Sequence, residues 1–188
     1  MPATALTVIH KHIRREMFDF SMRLFRAGTQ DVGAIQLAFE ELAVLLRTHA
    51  AQEETRLAPL LTAMGTGDAA ALLRDHHRLE VELDRVASHA RALDSRASTC
   101  TEALLQLHLD WNRYLSAYLA HLDEEERTLF AGLAPSMPLD AIAATALAQG
   151  AEGEKFLGRL WSVTTPSERI AIEGAHARGA CRETELSA

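Results

Sequence analysis

The sequence predicts an all-α protein, an up-down-up-down four-helix bundle with additional short helices at its C-terminal end. Apolar residues recur at three- and four-residue steps from Thr4 to about Ala134, the spacing of amphipathic helices. Leu and Ala supply most of the apolar content, while aromatic residues make up only 5%. The chain has 5 Pro and 10 Gly in 188 residues, so long stretches contain no helix breaker.

The first two predicted helices are separated by a short connection. The first ends at Gly28, a residue type common just past helix ends. The second begins after Asp31 and carries an apolar stripe as far as Leu60, before a glycine-rich break at 65–67. Connections this short place consecutive helices antiparallel.

The third and fourth helices repeat this arrangement. The third follows the break and ends before a polar turn at 94–98. Thr99, with Glu102 three residues later, predicts a capping box that opens the fourth helix. The apolar stripe of the fourth helix extends to Leu129.

A change of pattern at Pro135 and Pro138 ends the bundle. The sequence therefore predicts a bundle domain over 1–134 and a helical extension over 135–188. The extension has too few large apolar residues for a core of its own. We expect it to pack on the bundle or on a partner.

Within the extension, residues 139–160 predict one or two short helices. The run 165–168, Thr-Pro-Ser-Glu, predicts the start of a last helix, with Thr as cap, Pro first and Glu third. This helix is expected to fade near Gly179.

Charge and composition exclude several classes of protein. The formal net charge is −7, whereas a nucleic-acid binder needs a basic face. No run approaches the roughly 18 apolar residues of a membrane span, and charged residues interrupt the N-terminal segment too early for a signal peptide. Two cysteines, Cys100 and Cys181, are too few for a disulfide scaffold or a thiolate zinc site. We therefore expect a cytoplasmic protein that binds neither nucleic acid nor membranes.

Histidine is unusually frequent, with nine residues in 188. Each of the four bundle helices has one histidine at a core-facing step where Leu would be expected. The second and fourth helices add a Glu one turn later on the same face. These six residues are His10, His49 with Glu53, His76, and His121 with Glu125.

The His-x-x-x-Glu spacing, combined with a core-facing position on the helix, is not expected by chance. The composition predicts fewer than one His-x-x-x-Glu pair, and the sequence contains four. Spacing alone is weak evidence, because the pair His12 and Glu16 falls on the outer face of the first helix. A lone core histidine followed by a His-x-x-x-Glu helix occurs twice along the chain. This repeat predicts two half-sites that face each other in the bundle core.

Such polar groups need compensation in an apolar core. Each would cost roughly 1–3 kcal/mol if unsatisfied, against a typical net stability of about 5–15 kcal/mol. Divalent ions supply the compensation, and nitrogen and oxygen ligands without thiolate suit iron, manganese or zinc. We therefore predict a symmetric two-metal site.

Two further residues leave alternatives open. Glu80 lies one turn past His76 at the margin of the stripe. It is a third carboxylate ligand, an acceptor for the N–H of a ligand, or a solvated charge. Tyr118 either fills the core or directs its hydroxyl to the metal site. The other histidines, His12 and His77 among them, are expected at the surface or in ordinary hydrogen bonds.

The order His, His-x-x-x-Glu, His, His-x-x-x-Glu over residues 10–125 resembles the hemerythrin-like HHE cation-binding domain. The flanking residues are also similar to bacterial stand-alone members. They are His10-Lys11 with Ile13-Arg14-Arg15, Glu53-Glu54 with Pro59-Leu60, Asp75-His76, and His121-Leu122-Asp123-Glu124-Glu125.

This resemblance covers about two-thirds of the chain. It implies a four-helix bundle that holds a non-haem di-iron centre. Glu53 and Glu125 would bridge the metals, with His10 and His49 as terminal ligands on one side, and His76 and His121 on the other.

The chain departs from the oxygen-carrying members of that family in three places. They have a histidine where this chain has Glu80. Their last carboxylate follows its histidine by five residues, whereas Glu125 follows His121 by four and Glu126 by five. A proline is common where Ala131 stands. These departures disfavour reversible oxygen carriage and leave metal binding intact.

The sequence thus predicts a di-iron protein that binds or senses O2 or NO, or reacts with peroxide. Two alternatives stay open: an enzyme that removes peroxide or NO, and a structural or storage module for iron or zinc. The expected cofactors are two iron ions, Fe2+ or Fe3+, with or without an oxo or hydroxo bridge, and zinc or manganese are alternatives. A protein partner or self-association would use the extension.

Overall fold

A computed structural model of the protein describes residues 5–65, 68–129, 140–149 and 151–186. Its elements in these ranges are helical, which confirms the predicted fold class. The chain divides into two compact units, Glu16–Glu125 (the bundle unit) and Met1–Arg15 with Glu126–Ala188 (the tail unit). Across the described ranges, no helix has both the length and the apolar character that crossing a membrane requires.

Four long helices and one short helix build the bundle unit. The first of them also supplies the N-terminal residues of the tail unit. A 3-10 turn at Thr29–Asp31 connects the first two. The helices are α1 (Ala5–Arg26), α2 (Val32–Arg56), α3 (Ala58–Met64), α4 (Asp68–Ala92) and α5 (Cys100–Glu124).

Contacts between helices establish their directions. Gln36, early in α2, donates a hydrogen bond to the carbonyl of Ala90, late in α4. Glu54, late in α2, contacts His76, early in α4, so these helices are antiparallel. The same reversal relates α4 to α5 (His89 with Asp110, Asp75 with His121) and α5 to α1 (Trp111 with Ser21, His108 with Phe25). The predicted up-down-up-down order is confirmed.

Proline divides the second predicted helix. The apolar stripe predicts one helix as far as Leu60, but α2 ends at Arg56 and α3 begins at Ala58, with Pro59 in its first turn. Proline has no N–H, and its ring clashes with the carbonyl four residues earlier. Gly65 ends α3 with a φ of 70°, a left-handed conformation that favours glycine.

The two predicted capping boxes have different outcomes. Helix α5 begins after Thr99 as predicted, but the Thr99 side chain makes no cap hydrogen bond, so that box is wrong. The box at the last helix is confirmed. The Thr165 N–H donates to Glu168 Oε2 at 2.7 Å, and the Glu168 N–H donates to Thr165 Oγ1 at 3.3 Å.

A row of rings runs through the core of the bundle unit. Trp111, Tyr114, Tyr118 and His121 follow one another on α5, with neighbouring ring centroids 5.7 Å apart. Trp111 is fully buried, and its Nε1 donates to Ser21 Oγ at 2.6 Å. That bond satisfies the one polar group of the indole. The row ends on a histidine that the sequence predicts as a metal ligand.

The tail unit contains three helices, α6 (Asp140–Gln149), α7 (Ala151–Leu160) and α8 (Pro166–Leu186), together with the first part of α1. They share one apolar core with that part of α1. Its buried members are Ala5 and Val8 of α1, with Ile142, Leu157, Leu160, Ile172 and Ala175.

The structure bears on the predicted end of the last helix, and the predicted domain boundary lies outside the described residues. Helix α8 continues to Leu186, well past the end predicted near Gly179, because each of its two interior glycines, Gly174 and Gly179, costs a helix only about 1 kcal/mol. Pro135, Pro138 and the predicted boundary at 134/135 lie outside the described residues. The division into two domains at that boundary stays a prediction.

Candidate metal centre

Helices α2 and α5 each place a histidine and a glutamate one turn apart. His49 Nε2 lies 3.3 Å from Glu53 Oε1, and His121 Nε2 lies 3.2 Å from Glu125 Oε1. None of the four residues is more than 5% exposed. Residues four apart share a helix face, so each pair enters the core of the bundle unit together.

His76 of α4 joins these two pairs. Its Nε2 lies 3.3 Å from Glu53 Oε2 and 3.6 Å from Glu125 Oε1. One ligand atom from each of Glu53, His76, His121 and Glu125 lies within 4.8 Å of the others, and His49, Glu53 and Glu125 meet the same condition. Both carboxylates therefore belong to both groups. Ligands about 2 Å from a common ion lie at comparable separations.

The electrostatics of the cluster favour a cation. Burial lowers the pKa of His76, but its contacts with Glu125 and Glu53 and their negative charges outweigh burial and raise the pKa to about 10. His76 Nε2 meets Glu53 and Glu125 at ion-pair distances of 3.3 and 3.6 Å, so two carboxylates converge on one imidazole nitrogen. A divalent ion accepts imidazole nitrogen and carboxylate oxygen together. The residues present fit a metal.

His10 lies on α1 in the tail unit and is fully buried. Its Nδ1 is 2.9 Å from Glu126 Oε1, and Arg14 donates two hydrogen bonds to the same carboxylate. Burial raises the pKa of Glu126, but the bonds from His10 and Arg14 outweigh it and lower the pKa to about 2. An ionised Glu126 accepts an N–H from Nδ1. A ligand role for His10 stays a prediction.

Tyr118 fills the core beside the cluster. It is buried, with its ring 5.7 Å from those of Tyr114 and His121. Burial, together with Tyr114 and the carboxylates of Glu53 and Glu125, raises its pKa well above the usual range, so the phenol keeps its proton. This packing favours the first of the two interpretations of Tyr118.

The structure does not bring Glu80 to the cluster, and its inclusion among the ligands needs correction. Its carboxylate accepts a hydrogen bond from Arg47 Nε at 2.7 Å, and its side chain is 44% exposed. Leu79 and Leu83 occupy the core face of α4, which turns Glu80 toward α2. Of the three interpretations, a charge in contact with solvent agrees with this geometry.

Glu80→Gln is therefore expected to leave the metal content unchanged. A half-exposed ion pair contributes little, about 0–1 kcal/mol, so the free energy of unfolding should also change by less than that. Metal analysis of the parent and the variant, reconstituted in parallel, measures the first effect. A clear loss of metal in Glu80→Gln would restore it as a ligand.

The expectation that His12 points outward to solvent is wrong. Its side chain is only 1% exposed, and its ring meets Phe156 edge-on at 6.2 Å in the tail unit. Burial, with the nearby charges of Arg159 and Arg15, lowers the pKa of His12 to about 4. His77, in contrast, is exposed beside His76, as its register predicts.

Three carboxylates contact the predicted histidine ligands, and these contacts were not predicted from the sequence. Each contacts the Nδ1 atom of a histidine on another helix. One feature of the sequence could have identified them: each directly precedes or follows a predicted ligand in the chain. We call them the outer carboxylates: Glu54, Asp75 and Glu126.

Comparison with known proteins identifies one family. The model of the hemerythrin HHE cation binding domain matches residues 1–134. Comparison with curated proteins and with solved structures gives no significant match.

Proposed function

Because the chain belongs to the hemerythrin HHE cation-binding family, we propose that it holds two iron ions and uses them to bind or sense O2 or NO, or to react with peroxide. In this proposal Glu53 and Glu125 bridge the metals. The terminal ligands are His10 and His49 on one side, and His76 and His121 on the other.

One observation carries the proposal. Two buried carboxylates are shared by two groups of potential ligand atoms, one with His49 and one with His76 and His121. A single ion would not need both groups. Shared carboxylates between imidazoles are the arrangement that two neighbouring ions require.

The ligand types favour binding or sensing over hydroxylation. With Glu80 removed, the proposed set has four imidazoles and only two carboxylates, fewer than in carboxylate-dominated oxygenase sites. When bound, iron supplies an open coordination position and the electrons that small oxidants take up. The chain supplies a dry core, in which Tyr118 is 4% exposed and keeps its proton.

His10 and His12 provide a matched test of the ligand assignment. His10→Ala is expected to lower the metal content, because His10 occupies the core step of α1. His12→Ala is expected to keep the metal content, although removing a buried ring costs stability. Metal analysis after gel filtration measures both. Loss of metal in His12→Ala alone would reverse the assignment.

Anaerobic purification followed by addition of Fe2+ tests the function. We expect two irons per chain and a charge-transfer band that decays slowly after O2 or NO is added. Rapid, catalytic loss of peroxide would favour an enzyme instead. Stoichiometric zinc with no spectral response would favour a structural module and contradict the proposal.

The remaining parts of the proposal concern the cell. A cytoplasmic location and a protein partner for the extension are predictions from the sequence. Co-purification of one defined partner that is lost with residues 135–188 would support the second.

A further inference from the structure

The outer carboxylates share one geometric relation to the predicted ligands. Each faces the Nδ1 of a proposed histidine ligand, which leaves the other ring nitrogen, Nε2, for the metal. The contacts are Glu54 Oε1 to His76 Nδ1 at 3.2 Å, Asp75 Oδ2 to His121 Nδ1 at 3.7 Å, and Glu126 Oε1 to His10 Nδ1 at 2.9 Å.

Helix geometry explains why the neighbours of ligands supply these contacts. Adjacent residues on a helix point about 100° apart. When Glu53 points into the core, Glu54 points along the interface with the next helix, where His76 lies. Asp75 stands in the same relation to His76 and reaches His121.

An ordinary surface ion pair is the simpler explanation, and burial argues against it. The side chains of Glu54 and Asp75 are 44% and 43% exposed, whereas His76 and His121 are 4% and 3% exposed. Pairs with one partner in water contribute little to stability. Their effect falls instead on the orientation of the buried imidazole, because each carboxylate faces its Nδ1 side.

We infer that Glu54 and Asp75 are positioning residues for a metal centre. Glu54 accepts the N–H of His76 Nδ1, and Asp75 faces Nδ1 of His121 at a longer distance. Each therefore favours the ring orientation in which Nε2 faces the metal. This inference rests on the metal binding proposed above. Partners of this kind typically change metal affinity by about 10–100-fold.

The two residues are expected to differ in strength. The contact of Glu54 is within hydrogen-bonding distance, whereas that of Asp75 at 3.7 Å is longer than a hydrogen bond. Glu54 is therefore the better test, and a smaller effect is expected from Asp75→Asn.

Co2+ binding to the full-length protein, measured by competition with a chelator, tests the inference. Glu54→Ala is expected to weaken Co2+ binding by about 10–100-fold. Glu54→Gln should recover part of the loss, because an amide oxygen accepts the same N–H. Glu41→Ala is the matched control, since Glu41 is an exposed glutamate earlier on α2.

A second measurement separates positioning from structure. The melting temperature of metal-free Glu54→Ala should stay within about 4 °C of Glu41→Ala. In the Zn2+-loaded protein, the resonances of the His76 Nδ1–H group should shift in Glu54→Ala and not in Glu41→Ala, because that N–H loses its acceptor. If Glu54→Ala fails to fold, Glu54→Gln and Asp75→Asn provide the same comparison.

The outcomes are distinct. Co2+ affinity equal to that of Glu41→Ala overturns the inference and leaves the metal centre standing. The inference is also overturned if Glu54→Ala loses Co2+ affinity, its metal-free melting temperature falls by more than about 4 °C, and Glu54→Gln recovers neither. That pattern would indicate a structural role. A parent protein that binds no Co2+ overturns the proposed function, and this inference with it.

Discussion

Removing metal with a chelator is expected to lower the melting temperature of the protein by about 8–16 °C. A ligand that binds only the folded state stabilises it by RT ln(1 + [L]/Kd), which is roughly 4 kcal/mol at 1,000-fold saturation. For a chain of this size each kcal/mol shifts the melting temperature by about 2–4 °C. Differential scanning calorimetry of iron-loaded and chelated protein measures the shift.

The structure supplies the reason for so large an effect. Glu53 and Glu125 are 3% and 1% exposed, and without metal the single charge of His76 lies between these two like charges in a poorly solvated core. The same chelator added to Glu53→Ala serves as the control and should shift its melting temperature little. Loaded and chelated parent proteins that melt within a degree of each other would refute this account.

Glu53→Ala is expected to cause a larger loss of metal than removal of any of the outer carboxylates. Glu53 belongs to both groups of ligand atoms, so its removal weakens both halves of the proposed site. Loss of a group that only orients a ligand costs about 10–100-fold in affinity, and loss of a shared ligand should exceed the upper end of that range, about 100-fold.

Metal analysis after anaerobic reconstitution with Fe2+ checks this result. Glu41→Ala, on an exposed turn of the same helix, should keep the metal content of the parent. Glu125→Ala should behave like Glu53→Ala, because it is the other carboxylate common to both groups. Retention of two irons by Glu53→Ala would remove it from the bridging position.

The fold was predictable because the helix period is visible in the sequence. The core-facing steps of α4 and α5 predict His76 and His121, and both side chains are buried among the cluster. Local chemistry also predicts the cap of α8 correctly. Pro59 could also have predicted the break between α2 and α3, but the apolar stripe continues past it to Leu60 and favoured a single helix.

The errors come from contacts between elements distant in sequence. Glu80 has the same four-residue spacing from a histidine as Glu53 and Glu125, and only the position of Arg47 on another helix shows that it is an ion-pair partner. His12 lies on the outer face of α1, and sequence periodicity does not reveal that Phe156 meets that face. Periodicity describes one helix at a time.

The row of rings on α5 also gives the protein a built-in optical reporter. Trp111 precedes His121 by ten residues, which along a helix is about 15 Å, and its indole is fully buried in the core. Its emission should therefore be shifted to short wavelength. An ion that absorbs in that range and binds at His121 should quench it by energy transfer. In Trp161→Phe, which removes the other tryptophan, fluorescence intensity would then follow metal loading without any added dye.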